Sequence, residues 1–117
     1  MSVMWRIRLA RQAEADMSDI LQWTARHFGP AQAEHYAQTV IAAIEALGGG
    51  PDMAGVRMRS DIASNVRTLH VARHGRKGRH FVVFRVADAH AIEVLRVLHD
   101  SMDLARHIPA APSADPA

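Results

Sequence analysis

Two arginines sit inside the most apolar stretches of the chain: Arg85 in HFVVFRVA, His80 to Ala87, and Arg96 in IEVLRVL, Ile92 to Leu98. A charge within a half-buried strand must reach water or find a partner, because burying it alone costs on the order of several kcal/mol. Guanidinium groups so placed either line a groove that receives an anionic group or fork a nearby carboxylate. Glu93, Asp88 and Asp103 are the carboxylates at hand. Pairing is the preferred reading, because neighbouring strands bring such groups close.

A second concentration of polar chemistry follows the last strand, in His99, Asp103 and His107. Imidazole titrates near neutrality, so His99 and His107 are able to move protons. Between two strands lies a basic turn, Arg73-His74-Gly75-Arg76-Lys77-Gly78-Arg79. Its cations suit a phosphate or an acidic partner, whereas its glycines suit a plain flexible hairpin loop, which is the preferred reading. The chain has eight histidines, and His70 with His74 invites a metal hypothesis. Residues four apart on a strand lie about 13 Å from one another, too far to share one ion, so no metal is expected. Cysteine is absent, which excludes disulfides and thiolate chemistry. No Gly-rich phosphate-binding motif occurs, and no cofactor is expected.

These groups need a scaffold, and hydrophobic periodicity supplies one. Trp5, Ile7 and Leu9 alternate with Met4, Arg6 and Arg8, the period of a strand with one covered face. Ala13, Met17, Ile20, Leu21, Thr24 and Phe28 recur at helical spacing, with Glu14, Asp16, Asp19 and Arg26 falling largely on the other side. The spacing predicts a helix from about residue 11 to residue 27, without a Ser, Thr, Asp or Asn cap. Gly29-Pro30 separates it from a second amphipathic helix marked by Ala33, Ala37, Val40, Ile41, Ile44 and Leu47 and stopped by Gly48-Gly49-Gly50-Pro51. Each helix, at about 25 Å, is long enough to cover a small sheet. Trp5 and Trp23 read as core or interface anchors.

Residues 51–65 read as a loop pinned to the core by Met53, Val56, Met58 and Ile62. Strands are predicted at Val66 to Val71, His80 to Ala87 and Ile92 to Leu98, and the second of these is apolar on both faces, which suggests a central position. The fold class is therefore α+β: an N-terminal strand, an antiparallel helical hairpin, then a three-stranded antiparallel meander, with the helices on one face of the sheet. At 117 residues one domain is expected, spanning 1–108, with a disordered tail at 109–117, PAAPSADPA.

The formal net charge is only +2, but its distribution is uneven. Thirteen of the fourteen basic residues are arginine, and Lys77 is the single lysine. From Met53 to Arg96 nine basic residues face three acidic ones, a surface suited to nucleic acid, ribosome or an acidic protein. The N-terminal segment MSVMWRIRLARQA lacks a signal-peptide core, and no run approaches the roughly 18 apolar residues of a membrane span. A cytoplasmic protein without membrane association is expected.

The element order, together with RVADAHAIEVLRVLHDSMDLARHI, resembles the ParE branch of the RelE/ParE superfamily, the toxin halves of bacterial toxin-antitoxin pairs. The resemblance runs from Val3 to Ile108 and is sharpest from Ile92 to Asp103, where IEVLRVLH precedes Met102-Asp103-Leu104. It implies a small cytoplasmic toxin, of the kind encoded in plasmid stabilization systems, neutralised by a cognate ParD-like antitoxin. ParE-type members are implied to inhibit DNA gyrase, and RelE-type members to cut messenger RNA on the ribosome. Fold does not choose between them.

Cutting RNA through its own 2'-hydroxyl requires a base, cations for the phosphorus-centred charge and an acid for the leaving oxygen. Arginines are plentiful, but the only tyrosine, Tyr36, lies in the second helix, far in sequence from the sheet. His99 and His107 are the stand-ins. We assign no catalytic residue. The candidate functional surface is Arg67, Arg85, Arg96, His99 and Asp103, and the candidate basic loop is Arg73, Arg76, Lys77 and Arg79, where phosphate or gyrase is the ligand to consider. Three classes remain: a gyrase-binding toxin, preferred over an enzyme; a ribosome-dependent endoribonuclease; and an inert interaction module. Direct nucleic-acid binding is left open.

Overall fold

A computed structural model describes residues 4–108, so the expected tail at 109–117 lies outside the described residues. The elements are β1 (Arg6–Leu9), α1 (Arg11–Phe28), α2 (Pro30–Ala46), β2 (Arg57–Met58), β3 (Arg67–His70), β4 (His80–Asp88) and β5 (Ala91–His99), with 3-10 turns at Leu47–Gly49 and Leu104–His107. One sheet runs in the order β1-β5-β4-β3-β2. The meander β3-β4-β5 is antiparallel, whereas β1 joins the far edge parallel to β5. The two-residue strand β2, inside the stretch expected to be loop, adds an antiparallel edge beside β3.

The hairpin turns where the sequence places its Gly-Pro. Gly29 sits at φ 93°, a conformation that side chains with a Cβ resist, and donates its N–H to the Ala25 carbonyl at 2.9 Å. Pro30 then opens α2, where a missing N–H costs nothing. The helices cover one face of the sheet, α1 over β5 and α2 toward β4. Ala13, Val40, Leu47, Leu69, Phe84 and Ile92 are among the buried residues between the layers.

The central position of β4 explains its two apolar faces. Val82 and Phe84 point into the helix-side core, while Val83 and the partly buried Phe81 point the other way. That second face is packed by Val66, Leu98, Leu104 and Ile108, so the C-terminal turn folds back onto the sheet. Between Val83 and Phe84 the β4-β5 register slips, pairing Val83 with Arg96 and Phe84 with Val94 and leaving Leu95 as the extra residue of a bulge.

Asp16 corrects the helical-wheel reading. Assigned to the polar side, it is only 8% exposed. Strand β1 stops pairing with β5 at Leu9 opposite Val94, so the outer edge of β5 beyond that point has no strand beside it. Asp16, in α1, takes the place of that strand: its carboxylate accepts the Val97 N–H at 3.0 Å and two hydrogen bonds from Arg96, at 2.7 Å from Nε and 2.9 Å from Nη2. Phe28 and Ile41, also expected on apolar faces, are 64% and 42% exposed, and Met58 does not reach the core.

Candidate functional site

A cleft of about 1300 Å³ lies between the turn end of the helical hairpin and the loop joining β3 to β4. One wall comes from the helices and carries Ile20, Trp23, Phe28 and Tyr36 beside the polar Thr24, Gln32 and His35. Trp23 stacks on His27 with ring centroids 4.1 Å apart and has Phe28 at its edge, yet remains 51% exposed. The opposite wall is the loop, which contributes Arg76, Lys77 and Arg79. His80 and His99 close the sheet end. Among the described residues no aspartate or glutamate lines the cleft. Arg79 is paired behind the wall with Asp100 at 3.3 Å, whereas Arg76 and Lys77 have no carboxylate within ion-pair distance among the described residues, so an anion entering the cleft meets a positive potential.

The loop is held against α2 by a close approach. A Cβ on Gly78 would collide with Val71 Cγ2 and stand 2.9 Å from the Tyr36 hydroxyl, so only glycine lets the chain pass there. The Tyr36 hydroxyl accepts the Arg79 N–H at 3.1 Å, and Arg76 Nη1 donates to Thr39 Oγ1 at 3.2 Å. The same Tyr36 hydroxyl is hydrogen-bonded to His80 Nδ1, 2.7 Å away. Burial pushes the Tyr36 pKa above its ordinary range, which keeps it a phenol.

Neighbouring groups also set the imidazoles. Burial, reinforced by His99, pushes the His80 pKa down to about 4, so the ring is neutral. His70 Nδ1 accepts the Ala72 N–H at 3.0 Å, which leaves Nε2–H to donate to Asp100 Oδ2 at 3.0 Å. That bond, aided by Arg79, holds the Asp100 carboxyl below its usual range. His99 Nδ1 accepts both the Ser101 N–H at 3.1 Å and its hydroxyl at 2.7 Å. His70 and His99 thus spend the Nδ1 lone pair inside the protein and carry a proton on Nε2. Of the two, only His99 lines the cleft, together with His35, His74 and His80.

The residues expected to form one functional surface are scattered. Arg85 pairs with Glu93, its Nε and Nη2 reaching Oε1 at 3.0 and 2.8 Å, as the preferred reading held. Arg96 does not use Glu93, Asp88 or Asp103: its partner is Asp16, eighty positions away, and its Nη1 donates to the His107 carbonyl at 2.8 Å. Asp103 is exposed, 3.9 Å from Arg106, and Asp88 lies 3.5 Å from Arg6. Arg67 approaches Asp52 at 3.6 Å. Of the first set only His99 reaches the cleft, whereas Arg76, Lys77 and Arg79 of the basic loop all do; Arg73 instead accepts the Arg76 N–H in the turn. Among the described residues no group of three or more His, Cys, Asp or Glu is placed to hold a metal ion, and no helix is long and apolar enough to cross a membrane.

Sequence reasoning missed Tyr36 and His80. The signal was available: Tyr36 lies one turn before Val40 and on the same face as Ile44 and Leu47, so its ring had to approach the sheet.

Comparison with known proteins places this architecture. A family described as the ParE toxin of the type II toxin-antitoxin system parDE matches residues 7–104. The chain belongs to the ParE toxin family. Toxin ParE1 of Caulobacter vibrioides is 35% identical over 101 residues, covering 86% of this chain and 95% of that protein. Toxin ParE1 of Mycobacterium tuberculosis is 30% identical over 103 residues, covering 88% and 97%. In the chromosomal ParDE toxin-antitoxin system from P. aeruginosa, a chain 26% identical superposes with a TM-score of 0.69 over 84% of this chain and 98% of its own length. The RelBE toxin-antitoxin complex from Mycobacterium tuberculosis, at 22% identity and a TM-score of 0.54 over 85% and 94% of the two chains, shares the fold. This ParE-family chain is therefore the toxin component of a type II toxin-antitoxin system.

Proposed function

We propose that this ParE-family toxin acts by binding, that its target is DNA gyrase, and that a ParD-like antitoxin neutralises it by covering the basic cleft. The observation that supports binding over catalysis is the state of His99, the imidazole best placed after the last strand to move a proton, whose Nδ1 lone pair is already engaged by the Ser101 N–H. Strand cleavage needs a lone pair aimed at the attacking hydroxyl. Gyrase as target comes from the ParE kinship. The antitoxin partner is supported by the P. aeruginosa neighbour, which is a ParDE system. Charge complementarity adds that the antitoxin segment over the cleft is acidic.

Purified toxin is expected to inhibit gyrase supercoiling and to trap its cleavage complex. With the neighbouring gene's product at about a hundred times Kd, the toxin gains roughly 2.7 kcal/mol of stability. At about 4 °C per kcal/mol that is a rise in Tm of some 10 °C. The competing reading is ribosome-dependent cleavage of messenger RNA, favoured by the contact of Tyr36 with His80 beside His99 in a basic cleft. Transcript mapping after induction decides. Cleavage that His99→Ala abolishes, with gyrase turnover untouched, refutes the gyrase reading.

A further inference from the structure

We propose that the cleft binds a single-stranded polynucleotide, with the phosphates on Arg76, Lys77 and Arg79 and a base on the Trp23 and Phe28 wall. This goes beyond the gyrase reading and stands without it.

Three observations carry the inference. First, the cleft is cationic on one wall and apolar on the other, and no carboxylate lines it among the described residues. Arg79 spends only its Nε on Asp100, at 3.3 Å, so its terminal nitrogens remain for a phosphate. Second, the apolar wall is made of rings. Trp23, Phe28 and Tyr36 line it, and Ile20 is the single aliphatic residue among them. A groove for an amphipathic helix is built from aliphatic holes that accept knobs, whereas exposed ring faces beside cations are the platform that unpaired bases use. Trp23 has one face against His27 and is half exposed on the remainder. Third, His80 and His99 line the sheet end of the cleft, and the Ser101 N–H on His99 Nδ1 leaves Nε2 as that ring's hydrogen-bond donor for an anionic or carbonyl-bearing ligand. A duplex hides its base faces and would engage the loop cations alone.

The test is fluorescence anisotropy of labelled fifteen-nucleotide oligothymidylate and oligouridylate with the full-length toxin, across a salt series. Binding is expected to both, stronger than to a duplex of the same length by about tenfold or more. Lys77→Ala is expected to reduce the slope of log affinity against log salt by about 0.7, the share of one phosphate contact on a single strand. Trp23→Ala is expected to weaken binding about five- to a hundredfold, and Trp23→Phe to restore most of the loss. Unchanged thermal melts of the Lys77 and Trp23 variants keep folding out of the comparison. A preference for oligouridylate assigns the site to RNA and the reverse to DNA; either supports the proposal. Equal affinity for the duplex, or affinity indifferent to Trp23, overturns it. So does binding of poly-L-glutamate with the same dependence on Trp23, because the occupant would then be an acidic peptide.

Discussion

Replacing Asp16 by alanine is expected to be among the most damaging single changes in this chain. The carboxylate is 8% exposed and accepts three hydrogen bonds, two from the Arg96 guanidinium and one from the Val97 amide. Alanine leaves the Arg96 charge, whose side chain is 18% exposed, without its counter-ion and leaves the β5 edge amide unpaired. Removing one partner of a buried ion pair costs about 3–5 kcal/mol, a range that already contains the roughly 1–3 kcal/mol of an unsatisfied amide. Total stability for a domain of this size is about 5–15 kcal/mol, so a large fraction is lost. At about 4 °C per kcal/mol the expected fall in Tm is some 12–20 °C. Urea denaturation of purified toxin, followed by far-UV circular dichroism, measures the loss, and hydrogen exchange should show lost protection at Val97. The double variant Asp16→Leu with Arg96→Met removes both charges, and is expected to recover part of the stability because buried pairs contribute little net against apolar replacements. It still forfeits the Arg96 bond to the His107 carbonyl and leaves the Val97 amide without its acceptor, so recovery stays about 2 kcal/mol short. A loss under about 1 kcal/mol for Asp16→Ala would refute the claim that this carboxylate substitutes for the missing strand.

Three further outcomes follow from the cleft. His80, with its pKa pushed down to about 4 from an ordinary 6.5, takes up protons in the unfolded chain before the folded one, so stability is full above pH 6.5 and falls as the pH drops toward 4. Complete linkage over that shift is roughly 3 kcal/mol, and because the ring still reaches water about 1–2 kcal/mol is expected. Comparing urea midpoints of the wild type and His80→Gln between pH 4 and 8 isolates that share, and parallel profiles would contradict it. Gly78→Ala drives a Cβ into Val71 and the Tyr36 hydroxyl and is expected to cost about 1–3 kcal/mol, while Gly48→Ala, which meets only the flexible end of Met4, should cost less than about 1. Thermal melts rank the two. Tyr36→Phe strips the Arg79 amide of its acceptor and is expected to cost roughly 1–2 kcal/mol by the same measurement, with no loss if the loop amide turns to water.

Local patterns in the sequence were enough for the secondary elements, the Gly29-Pro30 turn, the central place of HFVVFRV and a carboxylate partner for Arg85 among Glu93, Asp88 and Asp103. Each depends on spacing along one strand or helix, or on strands joined by a short turn, where chain geometry leaves few choices. The strand β2 escaped notice because two residues carry no periodicity. Kinship with the ParE toxins was legible in IEVLRVLH and the residues after it, and the family comparison agrees.

What the linear pattern did not contain is which distant groups meet. Asp16 looked like a solvent-facing acid because a helical wheel shows only one helix; the strand edge it caps is formed by β5, eighty residues later, at the point where the parallel β1 ends. Tyr36, His80 and His99 likewise come together only when α2 is laid on the sheet and the β3-β4 loop folds back over Gly78. Whether His70 and His99 offer a lone pair or a proton was then settled by single backbone amides, of Ala72 and Ser101, at hydrogen-bond distance. Periodicity specifies faces, and close packing of those faces specifies contacts.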